Sequence, residues 1–93
     1  MRIRTVINDT YTGCQTISDH DVAAFTPDAL REIIVRKNQE QVGADQYDGG
    51  GLTLVAGGVD TGVAWATLRE GGGVHQAPWL IFIHAYPWAE APV

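Results

Sequence analysis

The chain has 93 residues, enough for one domain with a modest core, because a chain this short buries roughly 60–65% of the surface its unfolded form exposes. It is 45% hydrophobic and 18% charged, which excludes a disordered polymer. The net charge of −5 excludes a nucleic-acid surface: only 6 Lys and Arg face 11 Asp and Glu, and no more than two cations, Arg36 and Lys37, lie side by side.

A single cysteine, Cys14, rules out an internal disulfide and a cysteine-rich zinc site. The opening Met1-Arg2-Ile3-Arg4 does not read as an export leader, so a reduced, cytoplasmic setting is expected. The longest apolar run, Ala77 to Ala85, is broken by His84 and falls short of the roughly 20 residues of a membrane span. No membrane partner, metal or cofactor is expected.

Taken in chain order, Arg2 to Ile7 alternates as a first strand, and Asn8 to Gly13 has turn chemistry. In "TISDHDVAAF", Ser18 and Asp21 have capping-box spacing and predict one short helical turn. The clearest element follows. Thr26 fits an N-cap, Pro27 the first helical position and Asp28 the positive end of the dipole. Phe25 and Leu30 have the spacing of a hydrophobic staple, Leu30, Ile33 and Ile34 form an apolar stripe, and Gly43 is the stop. Leu52 to Ala56, Val63 to Arg69 and Trp79 to Tyr86 read as three further strands with short glycine-bearing connections, "GGVDTG" being the turn before the second of them. The fold class is therefore α+β: one domain over residues 1–93, two-layered, with a four-stranded antiparallel sheet in the order β-α-β-β-β and one main helix on one face. A loosely held tail is expected from about residue 87.

That arrangement leaves a surplus. In the last strand Trp79, Ile81, Ile83 and Ala85 point one way and Leu80, Phe82, His84 and Tyr86 the other, so both faces are apolar. In the preceding strand Ala64, Ala66 and Leu68 share one face, while Val63, Trp65 and Thr67 share the other. The small alanines suit a close helix, which places Trp65 on the face without one. A single helix covers one side only. The other side is covered by residues 8 to 24 with the tail, by a second copy of the chain, or by a partner.

The glycine clusters do not read as phosphate loops. Val63 follows Gly62 where a Walker loop needs Lys, and a strand follows where a helix must receive the anion. The dinucleotide fingerprint lacks the same context. Asp45, Asp48 and Asp60 flank glycine turns and do not supply a calcium-loop pattern. His20, His75 and His84 show no metal spacing. Asp19-His20-Asp21 is suggestive of an oriented imidazole, but neighbours in a chain seldom point together. His84 reads as a packed histidine and Cys14 as an incidental thiol. His75, after three glycines on a loop, is the best single contact residue among the histidines.

Composition and pattern together lead to a small acidic, non-catalytic binding protein. It acts by occupying a protein partner, as an inhibitor, immunity protein or antitoxin does, through an apolar sheet face. The expected binding residues are Trp65, His75, Trp79 and Tyr86. The alternative is a homo-oligomer with a small-molecule site, for a nucleotide or similar ligand, at the junction of subunits, lined by glycine-loop backbone, His75 and a tryptophan. A third reading is a structural subunit whose apolar faces serve only as joints.

Overall fold

The computed structural model describes residues 1–71 and 77–88. Six elements follow one another: β1 (Arg2–Asp9), β2 (Cys14–Asp21), α1 (Pro27–Val42), β3 (Leu52–Asp60), β4 (Val63–Glu70) and β5 (Trp79–Pro87). The strands form one antiparallel sheet in the order β2-β1-β5-β4-β3. The α+β class stands, but the sheet has five strands and not four, and the chain order is β-β-α-β-β-β.

The fifth strand is β2, where the Ser18 and Asp21 spacing predicted a helical turn. Two cross-strand contacts override that local signal. Thr5 donates to the Ser18 carbonyl at 3.1 Å, and Arg4 pairs with Asp19 at 2.7 Å. Ser and Asp compete for backbone groups in short windows, and here pairing along all eight residues of β1 decides. The β1–β2 hairpin turns through Gly13, which takes φ 71° and donates to the Asp9 carbonyl at 2.8 Å.

The helix begins as its sequence dictates. Thr26 is the N-cap, its side chain accepting from the Ala29 N–H at 3.2 Å, and Pro27 follows. Gly43 ends it with φ 97°. Leu30, Ile33, Ile34 and Val35 are buried, facing Ile3, Ile7, Leu52, Leu68, Ile81 and Ile83 of the sheet. Ala64, Ala66 and Ala85 are also buried and let α1 approach closely.

β3 is longer than its apolar run predicted: Gly57 and Gly58 lie within the strand, and the turn to β4 is Thr61–Gly62. Both turn residues have positive φ, 50° and 78°, which is the two-residue hairpin geometry that matches sheet twist. A register shift between Leu54 and Ala56 marks a bulge. The chain end is held further than expected: Pro87 closes β5, and the Trp88 N–H donates to the Arg2 carbonyl at 3.0 Å.

A helix of 16 residues is about 24 Å long and roughly 10 Å across. Five strands span about 24 Å. α1 packs on the middle of the sheet: Ile3, Thr5 and Ile7 of β1, Ala64, Ala66 and Leu68 of β4, and Ile81, Ile83 and Ala85 of β5 are buried, and the edge strands β2 and β3 keep partly exposed residues on that side. No helix among the described residues is long and apolar enough to cross a membrane.

Candidate interaction surface

Strand alternation divides the side chains between the helix side and an open side. Register places one residue from each strand in a row across the middle of the open side: Ile17, Val6, His84, Trp65 and Gly58. The next row holds Gln15, Asn8, Phe82, Thr67 and Ala56, and beyond it Leu80 pairs with Arg69. Exposed areas are large for apolar groups: Ile17 is 60% exposed, Phe82 41%, Trp65 39% and Leu80 38%. Residues 14–21, one of the segments expected to cover this face, instead extend the sheet sideways and widen it.

Trp65 keeps a defined place because of Gly58. A Cβ on Gly58 would stand 3.2 Å from the Trp65 Nε1 and 3.5 Å from its Cε2, so the indole lies across the bare backbone of β3. One edge of the ring is packed and the rest faces outward.

At the end of the face formed by the start of β1, charge takes over. Arg4 makes two hydrogen bonds to Asp19, Nε to Oδ1 at 2.7 Å and Nη2 to Oδ2 at 3.0 Å. Its Cζ lies 3.6 Å from the centre of the Trp88 ring, a cation–π contact, and Tyr86 meets Trp88 edge-on at 6.4 Å and 78°. The Arg4 hydrogen bond holds the Asp19 carboxyl below the ordinary carboxylate range, and Asp19 raises Arg4 in return. Arg2 pairs with Asp21 beside it at 3.3 Å.

The helix side carries two clefts flanking α1. The larger, about 420 Å³, has Ile7, Ile34, Ile81 and Trp79 as its apolar wall. Tyr47 donates to Glu70 at 2.8 Å on its rim. Burial, and then the neighbouring Glu70 carboxylate, push the Tyr47 hydroxyl up to about 12. The smaller cleft, about 270 Å³, lies between β2 and α1 and is lined by Thr16, Ser18, His20, Ile33, Arg36, Lys37 and Glu40.

The expected binding residues divide between these places. Trp65 and Tyr86 lie on the open side, Tyr86 half-buried within the Arg4 cluster. Trp79 lies on the helix side, half-buried, its ring 4.7 Å from that of Tyr11. Its indole N–H is buried with no acceptor among the described residues. His75 falls outside the described residues. His84, read as packed, is exposed between Val6 and Trp65.

Asp19-His20-Asp21 is split by alternation: the two carboxylates pair with arginines on the open side, and His20 faces the helix. Cys14 is exposed, and among the described residues no histidine lines its cleft. Among the described residues no group of His, Cys, Asp and Glu is arranged to hold a metal ion. Ile17, Phe82, Arg4 and Trp88 were not singled out from sequence. The signal for Ile17 and Arg4 was the alternation of residues 14–21 against residues 2–9.

Comparison with known proteins returns no match from family models, curated proteins or solved structures.

Proposed function

We propose that the chain is a small acidic binding protein without catalysis of its own, and that the open side of its sheet is the surface that occupies a protein partner. The observation that carries this reading is the group of apolar side chains on the open face: Ile17 and Val6 to one side of the exposed His84 and Trp65 to the other, with Phe82 and Leu80 in the neighbouring rows. Single apolar residues on a surface are ordinary, but Ile17, Trp65, Leu80 and Phe82 gathered on one face, each 38% exposed or more, are the kind of group that interfaces bury. Trp65 is the expected hot spot, since it offers a large rigid side chain already held in place by Gly58. The net charge of −5 favours a basic partner by steering its approach.

A second reading has its own support. On the open side Arg2, Arg4 and Arg69 are offset by Asp19, Asp21 and Asp60, so this face is neutral although the chain is strongly acidic. A neutral face does not repel a second copy, and sheets pack face to face about 10 Å apart. Self-association through the same surface is therefore the alternative occupant.

A photo-crosslinking amino acid at position 82, introduced in the cells that make the protein, tests the surface. The expected result is a discrete crosslinked product from position 82 and none from position 41 on the helix. Equal products from both positions, or none from position 82, would contradict the reading.

A further inference from the structure

The smaller cleft is chemically unlike the rest of this acidic molecule. Arg36 and Lys37, the only adjacent cations in the sequence, both line it. Among the described residues Arg2, Arg4 and Arg31 form ion pairs, whereas Arg36, Lys37 and Arg69 form none, and of these three Arg36 and Lys37 share one cleft. Glu40 is the one carboxylate in the lining. An excess of positive charge in a cleft, in a chain of net charge −5, calls for an anion.

The strand wall supplies donors in a fixed order. Thr5 is fully buried, so its hydroxyl must donate within the protein, and its acceptor is the Ser18 carbonyl at 3.1 Å. With that proton committed, the 3.0 Å contact between the two hydroxyls has Ser18 donating to Thr5 Oγ1. The 2.7 Å contact to His20 then has Nε2 donating to Ser18 Oγ. This order makes all three bonds; with Ser18 donating to Nε2 instead, either the Thr5 to carbonyl bond or the bond between the two hydroxyls is lost. Ser18 is therefore not activated as a nucleophile, because His20 donates to it rather than accepting from it. The imidazole is held by Nε2, and Nδ1 has no partner among the described residues.

We propose that this cleft binds a phosphate monoester, gripped by Arg36 and Lys37 from α1 and by His20 and Thr16 from β2. Two cations suit a dianion, and a third donor arises at Nδ1 when His20 takes up a proton. Burial, followed by Arg36, keeps the free His20 below its ordinary value; Lys37 acts in the same sense, and Asp19 and Glu40 oppose them. A bound dianion reverses that balance, so binding and protonation of His20 favour each other. The site lies on the opposite side of the sheet from the proposed partner surface and does not depend on it.

Titration of the full chain with inorganic phosphate and with phosphoserine, followed by backbone amide and His20 ring NMR signals at about pH 6, tests the assignment. The expected result is saturable shifts confined to β2 and α1, with the His20 titration moved upward when phosphate is present. The double variant Arg36→Ala/Lys37→Ala, which alters only helix surface, should weaken binding at least tenfold. His20→Gln should remove the pH dependence of binding that exceeds the ligand's own second ionisation, while the amide spectrum stays folded. A phosphoserine peptide that binds more tightly than free phosphoserine assigns the group to a protein, and equal affinity assigns it to a small phosphate ester; either upholds the site. Shifts that do not saturate, binding unchanged in the double variant, or succinate binding as tightly as phosphate would overturn it.

Discussion

The indole of Trp65 lies over Gly58 on the neighbouring strand, close enough that a Cβ there would come within 3.2 Å of Nε1. A glycine normally weakens a strand, because it leaves nothing to pack. Here it forms the seat for the largest side chain on the open face, so one aromatic ring is ordered without being buried.

Truncating that ring should therefore affect binding more than folding. Trp65→Ala is expected to weaken the complex by about 2 kcal/mol or more, roughly 30-fold, which is the size of an interface hot spot. Helix content by circular dichroism should be unchanged, since Trp65 touches none of the α1 core. An unchanged affinity would show that the partner does not use this face.

The two adjacent glycines of β3 should respond differently. A Cβ at Gly57 would meet Pro27 Cβ at 2.7 Å and the Trp65 carbonyl at 3.0 Å, both parts of the rigid frame. Gly57→Ala is expected to destabilise the fold by about 1–3 kcal/mol, the usual range for overpacking. Gly58→Ala meets only the movable indole and should cost much less. Urea denaturation of the pair checks the order.

The Arg4–Asp19 pair predicts an acid limb. The folded Asp19 carboxyl titrates below its unfolded value because Arg4 hydrogen-bonds the charged form. Its contribution is present above the unfolded value of about 4 and is lost as pH falls through the folded one. Asp19→Asn should be less stable than the native chain near neutral pH, and the difference should shrink as pH falls below about 4. A difference that persists in acid would place its cause outside the ion pair.

At the other extreme, Tyr47 titrates at about 12 when folded, chiefly through burial and further through Glu70. The unfolded chain releases this proton near pH 10, so stability falls as pH rises from about 10 towards 12. Tyr47→Phe should flatten that fall. Denaturation midpoints between about pH 9 and pH 11 measure it.

Much of the fold was legible because its signals are local. The Thr26-Pro27-Asp28 start, the Leu30, Ile33 and Ile34 stripe and the alternation of residues 63–69 and 79–86 each imply one element. From them follow the helix side and the open side, and the place of Trp65. What escaped is non-local. β2 is polar on both faces, with Thr16, Ser18 and His20 against Gln15, Asp19 and Asp21, and only pairing with β1 makes it a strand. Missing it concealed Ile17, the Arg4–Asp19 pair and the whole cleft beneath His20. Trp79 shares a strand with Phe82 yet belongs to the other face. Parity alone gave that division but could not say which of the two faces of β5 lies under α1.

The central claim is that the open side of the sheet is an occupied surface, and native mass spectrometry of the protein taken from the cells that make it tests this most directly. The native chain should carry added mass, either a second species or further copies of itself, and Trp65→Ala should shed it while remaining folded. A bare monomer in both preparations, or added mass that survives Trp65→Ala unchanged, would contradict the account.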